Sequence, residues 1–275
     1  MSLLGIDIGT TGCKAIVFRV DGQVLGHAYR EYPLIHPRDG WAELDPEGVW
    51  ASVSEAVGQA VDRAGPGDPV KALATSVQGE AVTPVARDGT ILANSPVTFD
   101  GRTVPYVEEW EQKVGREEIF RITGMPLHPM YTLNKIMWWR RERPEVYDRA
   151  WKFLCYGDFA LQRLGLAPAI DFSMAGRTMA FDLEKTGWSD RLLAVAGVDR
   201  EKLPAAVLSG APVGVVPPDV AEELGLPPGV VGATGGHDQP CGALGAGINR
   251  PGLAMDATGT VECITPIFDR PVLSP

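Results

Sequence analysis

The chain has 275 residues, with 25 Lys and Arg against 35 Asp and Glu, a formal net charge of −10, and 45% hydrophobic and 22% charged residues. That composition is globular rather than disordered, and the length suits one large or two ordinary domains. The acidic balance argues against a nucleic-acid or membrane partner, since both call for clustered Lys and Arg.

Processing and redox signals point the same way. No stretch reaches the roughly 18 apolar residues of a membrane span, and the N-terminus lacks a signal peptide's basic start and cleavage site. Cys13, Cys155, Cys241 and Cys263 lie far apart with no CxxC pair. Neither a zinc site nor a disulfide framework is expected, and the default compartment is a reducing cytoplasm.

Taken in order, residues 3–8 form an apolar run, a tight Gly9–Gly12 turn follows, and 14–20 form a second run. Asp21-Gly22 is a two-residue hairpin signal leading into a third strand over 23–32, so the opening reads as three antiparallel strands. Asp45 is a helix N-cap with Pro46 at the first helical position. Val49, Trp50, Val53, Ala56, Val57, Ala60 and Val61 then recur at helical spacing, and Gly65–Pro69 ends the helix. Two strands, 70–78 and 81–88, are expected on either side of Gly79-Glu80. Residues 103–165 read as helix-rich, with Trp138, Trp139 and Trp151 as aromatic anchors, and a loop-rich stretch runs to about 215. Alternation of strand and helix returns with VGVV, a helix over 219–224, GVVGAT and a small-residue helix opened by Gly235–Gln239. A hairpin is expected over 253–268. The early hairpins exclude a Rossmann order, whose parallel strands need helical crossovers.

Five segments carry candidate chemistry. In Asp7-Ile8-Gly9-Thr10-Thr11-Gly12 with Lys14, glycines let backbone N–H groups approach an anion, the hydroxyls and lysine add donors, and Asp7 can hold a hydrated Mg²⁺. The segment lacks the GxxxxGK[ST] pattern of a Walker loop, and a plain β-turn explains it as well. In Gly235-Gly236-His237-Asp238-Gln239, a carboxylate at a strand-to-helix junction can orient a hydroxyl and accept its proton. A helix N-cap is the alternative. Ala257-Thr258-Gly259-Thr260 is a second Gly/Thr turn able to grip phosphate, or simply a hairpin. Gln78-Gly79-Glu80 and Asp100-Gly101-Arg102 carry side chains of the kind that grip carbohydrate hydroxyls, or are ordinary polar turns.

In order and spacing, residues 5–18 (GIDIGTTGCKAIVF), 41–50 (WAELDPEGVW), 99–103 (FDGRT), 235–247 (GGHDQPCGALGAG) and 257–264 (ATGTVECI) resemble the FGGY carbohydrate kinases. That family includes xylulokinase, glycerol kinase and gluconate kinase. The resemblance implies an α/β fold of the actin-like, ribonuclease H-like type, with a mixed five-stranded sheet flanked by helices and a second such domain cut short. Residues 1–248 would be the sugar-binding domain and 249–275 the beginning of the nucleotide-binding one. The implied activity is ATP-dependent phosphorylation of a hydroxyl of a small sugar, ketose or polyol. An actin-like or chaperone-like ATPase without a sugar acceptor, and a non-catalytic sugar sensor, are the rival readings.

By the same resemblance Asp238 is the catalytic base, and Gly9, Thr10, Thr11, Gly12, Lys14, Gly259 and Thr260 take the phosphates of ATP. Asp7 is associated with Mg²⁺, and Gln78, Glu80, Asp100, Arg102, Asp238 and Gln239 face the sugar. Departures from the family pattern stand at Lys14, where some members have Arg, and at Glu80, where some have His. Phe99 replaces a Trp, and Met130 replaces an aromatic of the glycerol-specific branch. The family's Gly-rich adenosine segment has no counterpart here, so the chain alone is expected to bind nucleotide poorly and to be inactive. A homodimer is compatible with the resemblance.

Overall fold

The computed structural model describes residues 1–258 and 262–273. Strands β1 (Ser2–Ile8), β2 (Gly12–Arg19) and β3 (Val24–Glu31) form the expected antiparallel meander. After β4 (Glu43–Leu44) comes α1 (Pro46–Ala64), capped by the Asp45 carboxylate on the Glu47 amide. Its buried face is Val49, Trp50, Val53, Ala56, Val57 and Ala60, the stripe that the 3.6-residue period predicts. That face lies on β2 and β3. Gly26 in β3 makes the close approach: a β-carbon there would sit 2.2 Å from the Ala60 carbonyl oxygen.

The chain returns as β5 (Val70–Val77), parallel to β1 and beside it. Next come β6 (Val82–Val85) and β7 (Ser95–Pro96), then α2 (Tyr106–Lys113), α3 (Arg116–Thr123), α4 (Thr132–Glu142) and α5 (Pro144–Arg149). These are followed by β8 (Lys152–Cys155), α6 (Tyr156–Arg163), β9 (Ala169–Asp171), α7 (Phe172–Gly176), β10 (Phe181–Asp182) and β11 (Gly187–Trp188). The last part holds α8 (Asp190–Ala196), β12 (Ala205–Val207), β13 (Pro212–Val215), α9 (Pro218–Glu223), β14 (Val231–Ala233), β15 (Gly236–His237) and α10 (Asp238–Gly245). A hairpin of β16 (Ala254–Thr258) and β17 (Glu262–Pro266) comes last and forms a sheet of its own.

The main sheet runs β3-β2-β1-β5-β14-β13, with β15 also pairing β5. Five positions form the expected mixed sheet, because β14 and β15 occupy the same side of β5 in succession. The break between them falls at Gly235, where a β-carbon would lie 1.5 Å from the Thr75 carbonyl oxygen. Outside these five, β13 adds an antiparallel edge.

Two local expectations change. The strand expected over 81–88 is confined to Val82–Val85; it pairs with β8, about seventy residues further on, and all four of its residues are buried. Residues 166–215 contain α7, α8 and several short strands rather than mainly loop. Trp139 is fully buried, while Trp138 is half-buried with its ring edge-on to Trp41. No helix among the described residues is long and apolar enough to cross a membrane.

Candidate functional site

The parallel register sets the site. Asp7 of β1 lies opposite Ser76 of β5, and Ser76 lies opposite Gly236 of β15. Two neighbouring strand gaps put Asp7 and Gly236 about 10 Å apart, and Asp238 follows two residues later. Ser76 Oγ donates to Asp7 Oδ1 at 2.9 Å. Asp238 is the first residue of α10; His237 holds the cap position, and no side chain caps the helix. The N-cap alternative for Asp238 therefore fails, and its carboxylate, 38% exposed, is open to a ligand. Burial pushes its pKa up; the Gln239 amide opposes this, and the charges of Asp7 and Glu80 add to it.

His237 fixes this junction. Its backbone N–H donates to Ser173 Oγ at 2.9 Å, and the Asp171 carboxylate holds Ser173 and caps α7. Its ring Nε2 is 3.2 Å from Asp238 Oδ1. Burial, with Arg177 adding to it, lowers the imidazole pKa to about 4, so the ring is neutral near pH 7.

The Gly9–Gly12 turn is tied down from two sides. Tyr32 donates to the Gly9 carbonyl at 2.7 Å and lies 3.0 Å from that of Gly12. Gln78 Nε2 donates to the Gly9 carbonyl, and its Oε1 accepts from the Thr10 hydroxyl, each at 3.0 Å. Thr11 remains exposed, as does Lys14, the cross-strand partner of Asp7. Gly259 and Thr260 lie outside the described residues. An open groove of about 480 Å³ runs along this sheet face past Asp7, Lys14, Ser76, Cys241 and Leu244.

Three of the expected sugar contacts are buried and engaged within the fold. Gln78 is buried, and both ends of its amide brace the Gly9–Gly12 turn. Asp100 and Arg102 have side chains 0% and 2% exposed and bind each other at 2.7 Å. Asp100 also accepts the Ala42 amide, while Arg102 binds Glu43 and stacks on Trp41 and Trp138. We read these as bracing residues, because both oxygens of Asp100 and the Nε and Nη2 of Arg102 are engaged within the fold and the pair is buried.

Glu80 is held differently. Its φ is +62°, and the Ala81 amide bonds back to the Gly79 carbonyl, a γ-turn of the rare, strained hand. Buried Lys135 and Thr132 donate to the Glu80 carbonyl at 2.9 and 3.2 Å. Burial lowers the Lys135 pKa to about 8. Thr98 donates to the Glu80 carboxylate at 2.9 Å, and Arg177 forms an ion pair with it. Gln239 Oε1, beside the candidate base, is buried with no partner among the described residues.

Sequence reasoning passed over Tyr32, Lys135, Asp171, Ser173 and Arg177. Only Asp171 carried a local signal, an Asp immediately ahead of a short helical run. The others act across separations of 20 to 97 residues.

Comparison with known proteins bears on the family and the fold. The family model described as the FGGY family of carbohydrate kinases, N-terminal domain, matches residues 2–245. A xylulose kinase of Klebsiella pneumoniae is 31% identical over 94% of this chain and 52% of its own length. A gluconokinase of Bacillus subtilis is 27% identical over 98% and 52%. The crystal structure of a xylulose kinase from Rhodospirillum rubrum superposes with a TM-score of 0.91 at 28% identity, covering 96% of this chain and 54% of that one. The chain thus spans about half the length of the curated relatives it matches.

Proposed function

Because the chain belongs to the FGGY family of carbohydrate kinases, we propose that it forms the acceptor-binding half of an ATP-dependent kinase for a small sugar, ketose or polyol, with Asp238 as the base. The observation that carries this reading is the half-open Asp238 carboxylate at the start of α10, across β5 from Asp7 and the Gly9–Gly12 turn. Residues 1–248 are the acceptor-binding unit in this reading, and 249–275 belong with the nucleotide-binding one.

An acceptor hydroxyl lying against Asp238 is oriented for in-line displacement and gives up its proton to the carboxylate. The raised pKa makes Asp238 a better proton acceptor than a solvated carboxylate. His237 keeps it aimed with a neutral N–H. Gln239 offers its unpartnered amide oxygen to a second hydroxyl.

The nucleotide phosphates meet the braced Gly9–Gly12 turn, with Thr10, Thr11 and Lys14 as donors. Among the described residues no three His, Cys, Asp or Glu side chains cluster as metal ligands. The single Asp7 carboxylate fits a Mg²⁺ that arrives with ATP and keeps most of its waters. When bound, that ion neutralises charge on the transferring phosphoryl group.

ADP release by the native protein carrying this chain, with D-xylulose, glycerol and D-gluconate as acceptors, tests the reading. Asp238→Asn is expected to cut turnover by about 10² or more while leaving the acceptor KM near wild type. Turnover near wild type in that variant refutes the role.

A further inference from the structure

Arg177 follows α7 and belongs to none of the motifs above, yet its charge acts on both His237 and Asp238. A β-carbon on Gly79 would meet His237 Nε2 at 3.0 Å and Arg177 Nε at 3.6 Å. The missing side chain at 79 is therefore the space into which the imidazole and the guanidinium converge. Gly79 does not have a positive φ, so it is room rather than backbone freedom that glycine supplies here.

One edge of the guanidinium, Nε and Nη2, is paired with Glu80 Oε1. Its other N–H groups have only thioethers in reach among the described residues: Met125 Sδ 3.7 Å from Nη1 and Met130 Sδ 3.9 Å from Nη2. Thioether sulfur is a weak acceptor, so these donors are poorly satisfied. The side chain is 23% exposed, whereas Glu80 is 1% exposed. The paired edge is thus sealed and the other edge open.

The charges around the opening are three carboxylates, Asp7, Glu80 and Asp238, against Arg177 and the fully buried Lys135. Lys135 donates to the Glu80 and Met130 carbonyls from behind and presents nothing to a ligand.

We propose that Arg177 is a specificity-determining residue of the acceptor pocket: its open edge donates to an acceptor hydroxyl, and its neutralisation by Glu80 selects uncharged ketoses and polyols over aldonates. This rests on the kinase reading of Asp238. An aldonate carboxylate beside Asp238 would meet a guanidinium already paired with Glu80, while exposed Lys14 lies on β2 beside Asp7 and serves the phosphates in this reading; the like-charge contact costs at least about 10² in kcat/KM.

The test is steady-state ADP release by the native protein with D-xylulose, ribitol and D-gluconate, and with monodeoxy analogues of D-xylulose. Wild type is expected to favour D-xylulose or ribitol over D-gluconate by about 10² or more. Arg177→Gln is expected to raise the KM for the neutral acceptor about tenfold, with a smaller change in kcat, and Arg177→Lys to recover part of that loss. One monodeoxy analogue, lacking the hydroxyl that Arg177 holds, should show the same KM with wild type and Arg177→Gln. A structural role alone would weaken every analogue alike.

Glu80→Gln frees the guanidinium charge and should raise relative kcat/KM for D-gluconate about tenfold. If Arg177→Gln folds poorly because Glu80 is stranded, the Glu80→Gln/Arg177→Gln double variant, neutral at both positions, should keep the KM defect. An unchanged KM in the folded variants removes Arg177 from the pocket and leaves Asp238 standing. D-gluconate as the preferred acceptor overturns the substrate class. No ADP release with any acceptor overturns the kinase reading itself, and with it this one.

Discussion

Replacing Arg102 by Leu separates a bracing residue from a ligand-binding one. The guanidinium donates from Nε to Asp100 Oδ1 at 2.7 Å, from Nη2 to Asp100 Oδ2 at 3.0 Å, and from Nη2 to Glu43 Oε1 at 2.5 Å. Its central carbon stands 4.0 Å from the Trp41 ring centre and 4.7 Å from that of Trp138. Removing one partner of a buried pair costs about 3–5 kcal/mol, because the other charge is left uncompensated. Asp100 would keep the amides of Ala42 and residue 102, and Glu43 would keep Asn94, which favours the lower end. About 3 kcal/mol corresponds to a fall in Tm of roughly 6–12 °C at this chain size.

Urea and thermal unfolding followed by tryptophan fluorescence measure this loss, with Trp41 and Trp138 reporting directly on the cluster. Asp100→Asn/Arg102→Leu should recover part of it, since the stranded charge is gone. Stability within about 1 kcal/mol of wild type, together with a raised acceptor KM, would refute the bracing role and restore Arg102 to the pocket.

Other outcomes follow from the same packing and charge arguments. Gly26→Ala is expected to destabilise the chain by about 2–3 kcal/mol in urea, because both near contacts, Ala60 O at 2.2 Å and Ala64 N at 2.7 Å, are helix backbone and cannot rotate away. The native His237 pKa of about 4 lies below its unfolded value near 6.5, so the unfolded state binds more protons between these pH values. Stability is then lost as pH falls from about 6.5 to 4, by up to about 3 kcal/mol, and His237→Gln should flatten that slope in urea midpoints. The raised Asp238 pKa acts in the same sense on catalysis: the base must be ionised, so turnover falls with decreasing pH, at values above the ordinary Asp value. In the native protein, an acid limb at the ordinary Asp value would refute the burial of that group.

Local signals determined the parts of the fold that local energetics decide. Asp21-Gly22 set a turn, the 3.6-residue stripe after Asp45-Pro46 set α1 and its buried face, and alternation set β1 to β3. Asp7, the glycine turn and Asp238 were legible for a similar reason, since each sits where a strand gives way to a turn or helix. Tertiary structure alone decided the rest. β6 passed over its neighbour in sequence for β8, because pairing partners follow from which faces the assembled core buries. Glu80 takes a left-handed φ that no glutamate signals, held there by Lys135 and Thr132 from 52 to 55 residues away. Asp100 and Arg102 resembled ligand-binding residues until their mutual ion pair and the packing of Arg102 on Trp41 and Trp138 turned them inward, and Arg177 showed nothing until Gly79 left it room. A sequence window encodes dihedral preference and the periodicity of a buried face. Which charges are sealed and which stay open depends on chain segments far apart in sequence, and those meet only in the folded molecule.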